Sequence, residues 1–440
     1  MNNNSREFLE GNSIMLSDNQ LYEQNNKLFG KTKLFIIALF LVADSRFFYL
    51  LPLPDIFGGV ASNKTFIGLV SLICFIWMAL VTKKINVGKY ANLILFLYVF
   101  LFCQAFFEKY RFQYSTSSIL FNLIPFLLFL MYFTINTFLD DKKSFKLFCL
   151  LCEWTTIFLS ICLLLQLLVY NKMHFLFLNF TLSDWYTKYH VTASGRFAGV
   201  SEGYIRIAVL ISFFNILNGS RKGKGIAISS FLLAISDIIF VDQSRVYIIQ
   251  TVISLFFMYL IAKKNKINVN VILTIIIFAM LATVILIPKF NSIIDTLNNS
   301  SDGSNYARIG AIYYYLSFIG NYLFTGLGEY IPDEGTSQYY FIKGGQGIYN
   351  FDDIGIFGVL ASMGILILIW YLLVIIKNFR LSFLIKDRNE KALAFGLSIM
   401  MLTGIFTASY LDRERLISLV LTMTIINFCA RESNLNIHHG

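Results

Sequence analysis

The chain has 440 residues, of which 57% are hydrophobic and only 14% are charged, and its mean hydropathy is +0.65. A soluble domain carries about a quarter charged residues, so this composition excludes an ordinary soluble fold. The formal charge of +10 comes from lysines and arginines in short groups between apolar blocks. This distribution is typical of membrane topology signals and argues against nucleic-acid binding.

Residues 1–32 are polar and rich in asparagine, and they lack the short apolar region and small-residue cleavage site of a signal peptide. We interpret them as a cytoplasmic tail. The apolar blocks that follow predict an all-α polytopic integral membrane protein, with a transmembrane domain over residues 33–430 and about twelve spans. The predicted spans are 33–51, 65–82, 90–107, 117–138, 145–170, 204–218, 225–241, 245–262, 268–287, 354–376, 391–410 and 414–430. Residues 431–440 are expected to form a cytoplasmic C-terminal tail.

The connections between the predicted spans alternate between basic and less basic ones, and the basic set with the tails holds most of the 36 lysines and arginines. Because cytoplasmic connections are enriched in these residues, both termini are predicted to be cytoplasmic. Two long loops, 171–203 and 288–353, then face outward. The large external loop 288–353, between spans nine and ten, is acidic overall and rich in Gly, Tyr and Asn. Such residues suit sugar recognition, although a solvated loop with aromatic anchors at the membrane interface has the same composition.

The cysteines and histidines predict no metal centre and no cofactor. All six cysteines fall inside apolar blocks, where packing between helices explains them. The four histidines show no metal-ligand spacing.

Arginines on the outward side are the first candidate functional residues, because the positive-inside rule gives no reason to place them there. Arg196 precedes the sixth span, Arg206 lies about one turn inside it, Arg245 lies in a very short external turn, and Arg308 lies in the large loop. They could bind a diphosphate bidentately, or they could extend to lipid phosphates and pair with neighbouring carboxylates. For Arg196, Arg245 and Arg308 together, each close to Gly or Ser, we favour diphosphate binding.

Carboxylates on the same side are the second set of candidates. Glu202 precedes the sixth span, and Asp352 and Asp353 precede the tenth. A carboxylate at a helix N-terminus commonly acts as a cap. A desolvated carboxylate could instead accept a proton from an attacking sugar hydroxyl. The residues alone leave both interpretations open.

The pattern resembles the O-antigen polymerase and ligase superfamily of bacterial envelope enzymes, over about residues 190–376. Residues 195–203, GRFAGVSEG, are similar to the family's Arg-x-x-Gly segment that leads into a span through an acidic residue. Residues 242–245, DQSR, are similar to its Ser-Arg at an external turn, and Arg308 with the later TGLG at 325–328 to its loop Arg with a downstream Gly-x-Gly. Residues 353–358, DIGIFG, resemble the start of the span after the loop in Wzy-type polymerases.

This resemblance implies a metal-independent glycosyltransferase in the bacterial cytoplasmic (inner) membrane. It would join polyprenyl-diphosphate-linked oligosaccharide repeat units at the outer face, among membrane lipids and with a flippase and a chain-length regulator as partners. We expect the arginines to contact the diphosphate leaving group and a carboxylate to orient or deprotonate the acceptor. The expected catalytic residues are Arg196, Arg245, Arg308, Asp352, Asp353 and Glu202, and the expected substrate-binding residues are Arg206, Tyr306, Gly326 and Gly328.

Two other functions fit the sequence. A ligase would transfer the finished glycan to another acceptor, but the ligase branch usually has a histidine near the end of the large loop, and this loop has none. A flippase or other transporter of the same lipid-linked sugars usually shows inverted repeats and spans broken at matching positions. No repeat is evident in this sequence. Nothing in the cytoplasmic loops indicates the signalling module of a receptor or scaffold.

Overall fold

The structure is a computed structural model, and it describes residues 32–51, 60–82, 85–178, 202–218, 223–263, 303–332, 334–405, 410–413 and 415–435. Within these residues the chain forms helices and no strands, which confirms the predicted all-α class. The helices in chain order are α1 (32–44), α2 (Val60–Val81), α3 (Ala91–Phe112), α4 (Thr116–Phe138), α5 (Lys142–Met173), α6 (Glu202–Asn218), α7 (Lys224–Asp242), α8 (Arg245–Ala262), α9 (Gly303–Tyr322), α10 (Ser337–Lys343), α11 (Ile356–Leu384), α12 (Arg388–Gly404) and α13 (Leu416–Leu435).

Among the described residues, seven helices are long and apolar enough to cross a membrane, namely α2, α3, α4, α5, α7, α11 and α13. The shorter α6 and α8 are apolar as well. Several membrane-crossing helices in one chain make this a polytopic membrane protein. The predicted span 268–287, the tail 1–31 and the last residues 436–440 lie outside the described residues.

Local sequence explains where several helices begin and bend. The Asp141 side chain accepts a hydrogen bond from the Ser144 amide, and the Ser144 hydroxyl accepts one from the Asp141 amide, which caps the start of α5. Asp387 caps α12 in the same position through the Glu390 amide. α4 tightens into a 3-10 turn around Pro125, because proline offers no amide to the helical ladder. The two caps thus fix where α5 and α12 begin, and Pro125 accounts for the irregular turn within α4.

α13 lies at the centre of the bundle and α3 at its edge. In the most apolar 18-residue stretch of each helix, 89% is buried within the protein in α13, against 33% in α3. α3 exposes large apolar side chains, Leu95, Phe102 and Phe106 among them. An apolar surface of this kind faces lipid in a membrane protein.

The ends of the antiparallel helices form two opposite surfaces. The lysine-rich end is formed where α5, α7 and α12 begin and α6 and α13 end; among its basic residues are Lys89, Lys142, Lys143, Lys146, Lys224, Lys377, Lys386 and Arg388. Two contacts tie this end together: the Lys89 amide donates to Asn427 Oδ1 at 2.8 Å, and Asn389 donates to Asn218 at 2.6 Å. The opposite surface, the arginine end, holds Arg206, Arg413 and Arg415.

A cap of residues 303–355, with Asp333 outside the described part, covers the arginine end through α9 and α10. The cap packs around a small apolar core that it shares with α11, formed by Ala311, Tyr315, Leu327, Ile342, Phe351 and Ile354 of the cap and Ala361 of α11. Arg111 of α3 contacts the cap through a cation-π interaction, since its guanidinium lies 4.1 Å from the centroid of the Tyr322 ring on α9. The described part of the predicted external loop is therefore a packed structure.

The cap is joined to α11 through a break in that helix at Gly364, whose φ of 79° is a conformation that favours glycine. The Ile365 amide donates to Leu323 O at 2.7 Å instead of to its helical partner, Ala361 O. Ala361 O accepts from the Leu327 amide at 2.7 Å. Backbone groups of the cap thus replace the helical hydrogen bonds that the break removes. As a result, the Ile365 amide and the Ala361 carbonyl both remain paired.

Candidate functional site

Arg206 is the most deeply buried arginine of the arginine end. Its residue is 2% exposed, and it lies on α6 about one turn from the start of the helix, as the sequence predicted. The guanidinium donates to Gln250 Oε1 at 3.2 Å and lies 3.8 Å from the Tyr247 ring centroid, with the Tyr410 ring at 5.6 Å. Two aromatic faces and the Gln250 amide thus hold the Arg206 guanidinium in place.

Arg415 lies beside Arg206 and shares the Tyr247 ring with it. Its Nε donates to the Tyr247 hydroxyl at 2.9 Å, and its Nη1 donates to Asp412 Oδ2 at 2.7 Å. The Arg415 residue is 8% exposed. Because Tyr247 contacts both guanidinium groups, α8 holds the two arginines in one fixed arrangement, a rigid support of the kind that anion recognition requires.

Arg413 connects the helix bundle to the cap. Its Nη2 donates to the Glu329 carbonyl at 2.9 Å, while the Glu329 amide donates to Glu108 Oε1 of α3 at 3.0 Å. Burial raises the pKa of the Glu329 carboxyl, and the nearby Arg413 lowers it in part. Glu108 and Glu329 therefore lie near the Arg413 guanidinium, where α3, the cap and the connection before α13 meet.

Asp352 is a predicted carboxylate that lies within reach of the charges of this cluster. Burial raises its pKa to about 6, and the charge of Glu329 adds to the increase, whereas Arg415, Arg413 and Lys343 oppose it. Lys343 itself is half-buried and donates to Asn350 Oδ1 at 2.9 Å. A carboxyl with a pKa near neutrality can both accept and return a proton.

The two glycines predicted to bind substrate make close backbone contacts. Gly326 has a φ of +64°, and a Cβ there would lie 2.3 Å from Ser362 O of α11. Gly328 has a φ of +95°, and a Cβ there would lie 2.8 Å from the Glu108 side chain. Ser362 O accepts from the Gly328 amide at 2.9 Å and from Gln104 Nε2 at 3.1 Å. Both glycines thus allow the cap to approach the helices that carry Glu108 and the Gly364 break.

The other predicted site residues are not joined to the cluster by a described contact. Arg308 is exposed on α9 and forms no hydrogen bond or ion pair with any other residue that the structure describes. Asp353 is exposed beside Asp352. Arg196 lies outside the described residues, and only the backbone is described for Glu202, Arg245 and Tyr306.

Sequence reasoning missed the residues that complete the cluster, namely Glu108, Tyr247, Gln250, Glu329, Tyr410, Asp412, Arg413 and Arg415. One signal could have found the last of them. The connection 412–415 reads Asp-Arg-Glu-Arg between the last two predicted spans, on the side where the positive-inside rule does not explain arginines. Glu108 gave a weaker signal, as a carboxylate within an otherwise apolar block.

The arrangement combines fixed positive charge with a carboxylate of raised pKa at one membrane surface. Fixed guanidinium groups can stabilise a developing phosphate charge, and a nearby carboxylate can take up a proton. Within the described residues, no three His, Cys, Asp or Glu side chains come together as a metal site would require. No family model matches the chain, and no curated protein matches it.

Proposed function

We propose that the chain is a polysaccharide polymerase, a glycosyltransferase that joins polyprenyl-diphosphate-linked oligosaccharide repeat units at the outer face of the bacterial cytoplasmic membrane. The product would be an O-antigen, capsule or exopolysaccharide chain. The observation that carries the proposal is the buried pair Arg206 and Arg415, held on the Tyr247 ring, with the buried Asp352 carboxyl in reach of the Arg415 charge. A leaving diphosphate and an acceptor hydroxyl need these two kinds of group side by side.

In the proposed reaction, the acceptor hydroxyl oxygen attacks the anomeric carbon of the growing glycan. The bond from that carbon to the diphosphate oxygen breaks, its electron pair stays on the diphosphate, and the hydroxyl proton passes to a carboxylate, for which we favour Asp352. Arg206 and Arg415 stabilise the charge of the leaving group. Fixed donors in a site of low dielectric constant do this better than water does. Arg196, Arg245 and Arg308 would complete the diphosphate site if substrate brings them together.

The charge distribution supports the proposed orientation. Lysines dominate one end of the bundle, and an end of that composition faces the cytoplasm in most membrane proteins. The N-terminal and C-terminal tails would then be cytoplasmic, and the arginine end with its cap would face outward. Lipid-linked repeat units presented at the outer leaflet would meet the cluster there.

A transporter of the same lipid-linked sugars is the second candidate, because α11 is broken at Gly364 and discontinuous helices are common in transporters. In a transporter the unwound backbone usually lines the substrate site. Here the groups next to the break are bonded to the cap segment Leu323 to Gly328, so they are not free to bind a substrate. We therefore favour the enzyme. A ligase would use the same chemistry with another acceptor.

The test is reconstitution. Purified protein in liposomes receives one synthetic lipid-diphosphate-linked repeat unit without added metal, and products are separated on a gel. We expect a ladder, which Arg206→Lys should weaken about 100-fold because a point charge replaces a planar donor fork. Arg380→Lys is the matched control, since Arg380 lies exposed at the lysine-rich end.

Two outcomes would overturn the proposal. If several repeat units give no ladder but labelled lipid moves between the leaflets, the protein is a transporter. If a single transfer occurs only when a different acceptor is supplied, it is a ligase.

A further inference from the structure

A cavity of about 620 Å³ opens at the lysine-rich end, far from the arginine cluster. Its walls come from the beginnings of α5, α7 and α12 and the end of α6. Its charged and amide lining residues are Lys142, Lys143, Lys146, Glu153, Asn215, Asn218, Lys224, Asp387 and Glu390. The remaining lining is mostly apolar, with Phe145, Leu150, Phe214 and Ile226 among it. The cavity thus has the amphipathic character of a lipid site.

Each carboxylate that lines the cavity has a partner within the protein. Asn215 donates to Glu153 Oε1 at 2.8 Å, and Glu153 is 2% exposed. Glu390 pairs with Lys142 at 3.6 Å, and Asp387 accepts the Glu390 amide at 2.9 Å. Only Glu390 is paired with a lysine, and the lining holds four lysines against three carboxylates, so a positive excess remains at the rim.

Three lysines of the rim lack such partners. Lys143, Lys146 and Lys224 are exposed, and none forms an ion pair with another residue in the described part of the chain. Lys224 opens α7, and the N-cap residue Gly223, which has no side chain to cap the first turn, lines the cavity as well. Three lysines and the start of a helix therefore line one cavity, which is an arrangement that attracts a phosphate.

We propose that this cavity binds the phosphate of an anionic phospholipid from the leaflet at the lysine-rich end. Lys143, Lys146 and Lys224 would hold the phosphate, and the apolar wall would accept the first part of an acyl chain. Basic pockets between membrane helices bind anionic headgroups in this way. A soluble phosphate compound shares the headgroup chemistry but has no use for the apolar wall. The proposal does not depend on polymerase activity.

The test uses the full-length protein in nanodiscs made with phosphatidylglycerol and phosphatidylcholine. Lipids that remain bound after release are identified by native mass spectrometry. We expect retained phosphatidylglycerol, and we expect the triple variant Lys143→Gln, Lys146→Gln and Lys224→Gln to bind it on the order of a hundredfold more weakly, at about fivefold for each lysine. The matched control carries Lys89→Gln, Lys263→Gln and Lys386→Gln, at the same end but outside the cavity lining.

Retention in the wild type and the control, with loss in the triple variant, supports the site. Equal retention in the triple variant and the wild type overturns it, as does loss in both triple variants alike, which would indicate general attraction to the surface. Free inorganic diphosphate forms a further arm. If it displaces phosphatidylglycerol at equal concentration, the ligand is a soluble phosphate compound and the assignment to a lipid is wrong. Unchanged helicity by circular dichroism checks that the variants fold.

Discussion

Arg206 and Arg415 at the arginine end are buried, whereas most lysines that the structure describes at the lysine-rich end are exposed. Arg206 lies against Tyr247, and Arg415 is bonded to Tyr247 and Asp412. Lys143 and Lys146, by contrast, are exposed on the first turns of α5. Positive charge is therefore fixed by ring and carboxylate contacts at one end of the bundle and left at the protein surface at the other.

The difference follows from the two side chains. Arg has a planar group that can stack on a ring and bond to a carboxylate at the same time, and it is more weakly hydrated than an ammonium, so its burial costs less. Lys keeps its charge in water while its methylene stem covers apolar surface. A site that must stabilise a leaving diphosphate gains from groups that do not reorganise during the reaction.

Arg415→Ala should break this contrast most strongly. It would remove the ion pair with Asp412 and the hydrogen bond to the Tyr247 hydroxyl, and loss of one partner of a buried pair costs about 3–5 kcal/mol. We expect a clearly lower Tm in detergent and no detectable glycan ladder. Arg380→Ala removes an exposed arginine from the lysine-rich end and should leave both unchanged. A wild-type Tm for Arg415→Ala would show that the pair does not hold this end together.

Gly326→Ala should have a smaller effect, at the joint between the cap and α11. The added Cβ would meet Ser362 O, in a left-handed conformation that alanine disfavours, and together these cost about 2–3 kcal/mol. We expect earlier proteolysis of the cap and loss of activity. Gly320→Ala on α9, where nothing lies within 4 Å of the added Cβ, is the control and should resist proteolysis as the wild type does. Equal digestion of both variants would argue that the cap is not held through this joint.

The residues in these predictions also show which parts of the structure could be predicted from the sequence. Block length and charge predicted the helical class and placed Arg206 inside a span, because hydropathy and charge are properties of neighbouring residues. They could not predict that Glu108 accepts the Glu329 amide, since 221 positions separate the two residues. Gly326 was identified from a motif as a binding residue, but its contact with Ser362 depends on the break in α11.

Arg413 and Arg415 illustrate a second limit. Their position on the less basic side was visible in the sequence, but their partners were not, because pairing depends on which helices become neighbours. Tyr247 comes from α8, and the two segments meet only after α8 packs beside α12. The positive-inside pattern could have identified these arginines as exceptions, but not the Tyr247 ring that Arg415 shares with Arg206.

A pH profile sharpens the role of Asp352, with an expected effect of about tenfold between pH 5 and pH 7. Because burial raises its pKa from 3.8 to about 6, its contribution to stability is full below 3.8 and is lost as pH rises through about 6. Activity should change in the opposite direction, since only the carboxylate can accept a proton. Asp352→Asn should remove both slopes and lower the rate, while Asp353→Asn should keep them. A wild-type profile in Asp352→Asn would assign the proton to another group.

Arg308→Ala should have the smallest effect on stability, because the exposed side chain contacts no partner in the described part of the chain. Exposed substitutions usually change the free energy of unfolding by less than about 0.5 kcal/mol, so we expect an unchanged Tm. The polymerisation rate should nevertheless fall if Arg308 joins the cluster only when diphosphate is bound. Adding the lipid-linked repeat unit should then protect α9 from proteolysis in the wild type but not in Arg308→Ala. If activity and protection both match the wild type, the motif around Arg308 has no part in leaving-group binding, and the diphosphate site rests on the buried arginines alone.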